Sequence, residues 1–141
     1  MNAAKTPGAA RGTPRLLLRL EGAALALAAI LGYRATGEGW GLFALLILAP
    51  DLSMLGYLAG PAPGAILYNA AHTTLAPAAL GALGLALDAE LPVALALIWL
   101  AHIGIDRTFG YGLKYRAGFG FTHLGRIGKQ PDDGAGKPSP D

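Results

Sequence analysis

The sequence predicts an all-α integral membrane protein, a bundle of four transmembrane helices with both termini on the cytoplasmic side. Three observations lead there. Hydrophobic residues fill 53% of the 141 positions and charged residues only 14%. No Lys or Arg occurs between Ala35 and Asp106, so a water-soluble fold would leave wide apolar surfaces unsolvated. Four apolar stretches, 16–32, 40–59, 64–87 and 91–110, each approach or exceed the ~20 residues that cross a ~30 Å hydrocarbon core.

Residues 1–14 are mostly Ala, Gly, Pro and Thr with Lys5 and Arg11, too poor in large apolar side chains to bury a core, and are expected to be disordered. Arg19 and Glu21 interrupt the first apolar run, which favours a retained helix over a cleaved signal peptide. The links at 33–39, 60–63 and 88–90 are short, so consecutive spans run antiparallel through a transmembrane domain covering 15–113. Pro92 fits the first turn of span four, where the N–H it lacks would go unbonded, and Asp88 and Glu90 suit that helix's positive end. Residues 114–128 interleave Tyr and Phe with Lys and Arg, the composition of a membrane interface, with rings at headgroup depth and cations on anionic lipid phosphates. A sharper alternative folds this glycine-rich stretch back beneath the bundle, with His123 capping the polar residues described next. The tail 129–141 is expected to be disordered.

Ten of the eleven basic residues precede or just enter span one, or follow the end of span four; only Arg34 lies on the opposite side. That asymmetry places both termini in the cytoplasm and the 88–90 loop outside. Without cysteine, disulfides, thiolate nucleophiles and cysteine-based metal centres are excluded. No nucleic-acid motif appears, and Gly118-x-Gly120 lacks the preceding strand and third glycine of a dinucleotide loop.

Ionisable residues within the spans are the functional candidates, because charge in hydrocarbon is costly. At ~1.5 Å per residue, Asp51, His72 and His102 all fall about 14 Å from the cytoplasmic face. By the same count Glu21, Asn69 and Asp106 form a second layer at about 8 or 9 Å. His102 and Asp106 are spaced i,i+4 and Asn69 and His72 i,i+3, so each pair shares a helix face. Pro50 and Pro77 should free the carbonyls of Leu46 and Thr73, producing either a cavity lining or a simple kink absorbed by small-residue packing. Gly56-xxx-Gly60 suggests close helix packing inside the bundle.

Two imidazoles and two carboxylates, from Asp51, His72, His102 and Asp106, are a sufficient ligand set for one divalent metal ion. Water on such an ion is a nucleophile near neutral pH. One reading is therefore a metal-dependent hydrolase of a lipid or amphiphile at the inner leaflet, with Arg107 or Lys114 steering a phosphate and Glu21 paired with Arg107. The other is a non-catalytic membrane module, an assembly partner or small proton-linked permease, in which the same residues form a hydrogen-bonded network. The partners expected are the lipid bilayer and its anionic headgroups.

Five motifs occur in order: Ala-Pro-Asp-Leu-Ser-Met-Leu-Gly-Tyr at 49–57, Tyr-Asn-Ala-Ala-His at 68–72, Ile-Trp-Leu-Ala-His-Ile-Gly-Ile-Asp-Arg at 98–107, Gly-Tyr-Gly-Leu-Lys-Tyr at 110–115 and Thr-His-Leu-Gly at 122–125. Over roughly 15–127 the chain resembles domain-of-unknown-function family 4260, small bacterial multi-pass membrane proteins, and the location expected for it is the bacterial inner membrane. The resemblance implies four spans and supplies no catalytic residues. Pro50-Asp51 and His102-xxx-Asp106 are also similar to pairs in predicted membrane-bound metal-dependent hydrolases, and Thr122-His123 to a Thr-His pair there. Those proteins carry a second acidic residue where this sequence has Ser53.

Overall fold

The computed structural model describes residues 8–127; the expected disorder at 1–7 and 129–141 lies outside them. The order is α1 (Gly12–Thr36), α2 (Trp40–Leu46), a 3-10 segment (Ala49–Ala59), α3 (Pro61–His72), α4 (Leu75–Ala86), α5 (Glu90–Thr108) and a hairpin of β1 (Phe121–Thr122) with β2 (Gly125–Arg126). The architecture is mostly helical, the two short strands being its only sheet among the described residues. Helix α1 starts inside the stretch expected to be disordered, and the Ala10 N–H before it donates to the His123 carbonyl at 2.8 Å.

Three helices are long and apolar enough to cross a membrane: Gly12–Thr36, Trp40–Ala59 and Glu90–Thr108. The expected third span is not one helix. It breaks at Thr73, whose backbone is extended (φ −78°, ψ 144°), and resumes as α4. Pro77 explains the break: it sits in the first turn of α4, where a missing N–H costs nothing, so it starts a second helix instead of kinking a continuous one.

Pro50 acts through a different register. After α2 the chain tightens to i→i−3 bonding, with the Asp51 N–H donating to the Leu48 carbonyl at 3.0 Å. In that register the donor that Pro50 lacks would have gone to Ile47, so the freed carbonyl is Ile47's and not Leu46's.

Small residues let the backbones meet. A Cβ on Gly104 of α5 would stand 2.6 Å from the Ala26 nitrogen and 2.7 Å from the Gly22 oxygen of α1. A Cβ on Gly56 would stand 2.6 Å from Leu67, so this glycine packs the 3-10 segment onto α3 within the bundle. At the end away from the hairpin, Tyr33 packs with Trp40 and Phe43 at centroid distances of 5.2 and 5.1 Å, and its hydroxyl donates to the Gly39 carbonyl at 2.7 Å. Leucines face outward instead: Leu45, Leu58 and Leu75 are 77%, 88% and 75% exposed.

The crossing of α1 and α5 is therefore intolerant of side chains. Gly104→Val should lower stability by about 1–3 kcal/mol or abolish folding, whereas Gly41→Ala, with nothing within 4 Å of its added carbon, should be silent. Thermal unfolding in detergent distinguishes the two.

Candidate metal centre

Four side chains from three elements meet where α5 crosses the 3-10 segment and the end of α3. Asp51 comes from the first turn of the 3-10 segment, His72 is the last residue of α3, and His102 and Asp106 lie one turn apart on α5. His72 Nε2 stands 3.3 Å from Asp51 Oδ1 and 3.4 Å from Asp106 Oδ2; His102 Nε2 stands 3.2 Å from each of the same oxygens. The two Nε2 atoms are 3.1 Å apart, and one ligand atom from each residue lies within 4.8 Å of all the others. Both imidazoles are buried and the carboxylates partly exposed.

Hydrogen bonding on the far sides of the rings determines what these atoms offer. His72 Nδ1 is 2.8 Å from the Tyr68 carbonyl and His102 Nδ1 is 2.7 Å from the Ile47 carbonyl. A carbonyl only accepts, so each Nδ1 carries a proton and donates it; a neutral ring then presents Nε2 as a lone pair. Two lone pairs and two carboxylate oxygens converge, all acceptors and no donor. Such a group is repulsive unless a proton or a cation sits among it; donors ~2.0–2.1 Å from a tetrahedral ion stand about 3.3 Å from one another, which the His–His and His–Asp separations match within a set of four that spans up to 4.8 Å. The carbonyl-held Nδ1–H is also the outer partner that metal-ligating histidines ordinarily have.

The breaks in the helices make this arrangement. Ile47 can accept from His102 because Pro50 leaves its carbonyl without a helical donor. Helix α3 ends at His72, and the Trp99 indole N–H takes up the Ala71 carbonyl at 2.6 Å. The Tyr68 ring stacks on the His72 imidazole with centroids 3.7 Å apart and planes at 8°.

Asp51 and Asp106 also line a cavity of about 270 Å³ with Tyr68, Tyr111, Lys114 and Phe119. Lys114 is 4% exposed, its ammonium donating to the Phe119 carbonyl at 2.9 Å and lying 3.6 Å from the Phe119 ring centroid and 4.5 Å from that of Tyr68. Burial pushes its pKa down to about 8 against the opposing pull of Asp106 and Asp51, so the cation predominates at neutral pH.

The family model described as domain of unknown function (DUF4260) matches residues 15–127. The chain belongs to that family. No curated protein and no solved structure matches.

Within this DUF4260 chain several residues depart from their expected places. Asp106 joins the other three ligand atoms instead of lying in a second layer, because the His102 and Asp106 side chains reach toward one point from successive turns. Asn69 does not enter the cluster: its amide donates to the Lys114 carbonyl at 2.7 Å and accepts the Lys114 N–H at 2.6 Å, pinning the segment after α5 onto α3. Glu21 and Arg107 line one small cavity with His123, of about 110 Å³, but no ion pair joins them among the described residues, and Glu21 is exposed. The glycine-rich segment does fold back, as the sharper alternative had it, yet Lys114 and Phe119 reach the cluster's cavity while His123 packs against Gly112 beside Arg107. Tyr68, one turn before His72, was available from spacing alone; Phe119 arrives through the hairpin and left no local signal.

His123 Nδ1 accepts the Leu113 N–H at 2.8 Å, which only an unprotonated Nδ1 can do. Burial, reinforced by Arg107, holds its pKa below the ordinary 6.5. The folded state thus favours the neutral ring, so its stabilisation is complete above 6.5 and is lost as pH falls through the lowered value. Hydrogen exchange at the Leu113 amide should accelerate on acidification beyond its intrinsic rate, and His123→Leu should remove that pH dependence. A ring that titrates at or above 6.5 would contradict this.

Proposed function

We propose that this protein crosses the bacterial inner membrane four times with both termini cytoplasmic, α3 and α4 together making one crossing. We further propose that Asp51, His72, His102 and Asp106 hold one divalent metal ion and hydrolyse a lipid or amphiphile at the inner leaflet. The observation that carries the metal is the convergence of two carbonyl-fixed imidazoles and two carboxylates with no donor among them. An ion there supplies a water acidified to near neutrality and neutralises charge that would otherwise be buried. The chain's own part is to set the tautomers through Ile47 and Tyr68 and to leave the carboxylates open to the Lys114 cavity, through which water and substrate reach them. The alternative, a hydrogen-bonded network without an ion, needs an added proton on at least one Nε2.

Metal content decides between the two. Protein purified in added zinc, manganese or iron should carry one ion per chain; His102→Ala should lose it while still folding, and Asp106→Asn should bind more weakly. A metal-free wild type with a well-tolerated Asp51→Asn would leave the network standing, in which case Asp51→Leu should destabilise by about 1–3 kcal/mol through unpaired buried groups. For orientation, a reporter fused after Asp141 should be active only in the cytoplasm and one inserted at Ala89 only outside; the opposite result at both would overturn the orientation, and activity of both on the same side would overturn the four-span topology.

A further inference from the structure

One cavity is lined by Asp51 and Asp106, a second by residues next to the ligand residues in the chain, and the two differ in chemistry. The one containing Lys114 brings that ammonium together with Asp51 and Asp106 between the aromatic walls of Tyr68, Tyr111 and Phe119. The other, about 410 Å³, is lined by Leu46, Pro50, Leu80, Leu95, Ile98 and Trp99 among others. Pro50 adjoins Asp51 in the chain, and Ile98 and Trp99 precede His102 by one turn on α5. The ligand residues therefore adjoin an apolar chamber on one side and a chamber holding the Lys114 ammonium on the other.

The charge count gives the Lys114 chamber its ligand. A divalent ion would offset the two carboxylates, leaving the Lys114 ammonium as a buried and uncompensated positive charge. Of its three N–H donors one is used, on the Phe119 carbonyl. A buried cation with open donors is costly unless an anion meets it. Arg107 does not compete, because it lines the separate cavity with Glu21 and His123. The anion must also carry a bond that a hydrolase can cleave. A carboxylate has none at its charged end and a carboxylic ester is uncharged, whereas a phosphate ester has both on one phosphorus, and of these the phosphodiester carries the single negative charge that one ammonium balances.

We infer that the Lys114 cavity binds the phosphate of a phosphodiester lipid, with an acyl chain in the apolar chamber and the ester bond at the four ligand residues. This assigns a substrate class to the site and rests on the metal-hydrolase reading. In the reaction the water oxygen forms a bond to phosphorus and one P–O ester bond breaks. The electron pair leaves with the alcohol oxygen, which takes up the proton that water releases. Lys114 is the residue that touches the non-bridging phosphoryl oxygen.

Calorimetry on zinc-loaded protein in maltoside micelles, with zinc per chain measured on the same samples, tests this. The probes are dihexanoyl phosphatidylglycerol, the phosphate-free dihexanoylglycerol and inorganic phosphate. The phosphodiester lipid should bind at one site per chain, and each of the other two about ten-fold or more weakly. Lys114→Gln, which keeps a donor for Phe119 but removes the charge, should weaken lipid binding about ten-fold or more at unchanged zinc content; Lys114→Arg should restore it. Lipid binding that ignores Lys114→Gln while zinc is retained would overturn the inference and leave the metal reading intact. Binding no tighter than that of dihexanoylglycerol would do the same for the anion, and equal binding of inorganic phosphate would remove the lipid assignment. Absence of zinc, manganese and iron alike from wild type purified in each would overturn both readings together.

Discussion

Two backbone carbonyls hold the chemistry of this protein in place. Each takes the Nδ1 proton of one histidine and so turns that ring's remaining lone pair toward the other ring and toward two carboxylates. The constraint is topological before it is chemical. The Tyr68 carbonyl, inside α3, accepts through its second lone pair, whereas the Ile47 carbonyl lacks a helical donor because Pro50 follows it at the i→i−3 distance of a 3-10 helix. Proline identity, helix type and imidazole tautomer are thus successive links in one chain of cause, and replacing Pro50 would act on a ring more than fifty positions away in sequence.

The segment after α5 depends on the same assembly from the opposite side. Asn69 holds the Lys114 backbone from both its donor and its acceptor, a side chain standing in for the neighbouring strand. The hairpin supplies the next ring of contacts: Thr122 and Leu124 are fully buried and Phe119 covers the ammonium. The histidines are thereby enclosed by helix packing on one side, while the small, separately tied β-structure bounds the cavity onto which the carboxylates open on the other.

Much of this was legible in the sequence, and the reasons for the remainder are specific. Equal depth along three apolar runs, counted at one α-helical rise per residue, grouped Asp51, His72 and His102. It separated Asp106 wrongly, since depth counts backbone and a side chain can reach across a turn. It also assumed one rise for every helix, which hid the 3-10 segment. That segment has its own signature: Leu52, Leu55 and Leu58 recur every three residues and all face outward, while Asp51 and Met54 share the cavity side. Asn69 carried the right address and the wrong role, because spacing gives a face and not a partner. The Glu21 to Arg107 pairing failed for a related reason: common depth does not bring two helices' side chains into line, and Gly22 turns the backbone of α1, not Glu21, onto Arg107.

The 3-10 segment also changes a length. Its rise is ~2.0 Å per residue instead of ~1.5 Å, so the eleven residues Ala49–Ala59 reach about 5 Å further than the same residues would as α-helix. With α2 the rod approaches roughly 35 Å, longer than a ~30 Å hydrocarbon core. An overlong rod in a bilayer leans, and the direction of lean is set by what it rests on. Here it rests on α3 through Gly56 against Leu67 and Gly64 against Tyr57. In the membrane crossing proposed above, hydrophobic mismatch would press the chain carrying Asp51 against the helix carrying His72, making bilayer thickness a mechanical load on the spacing between them.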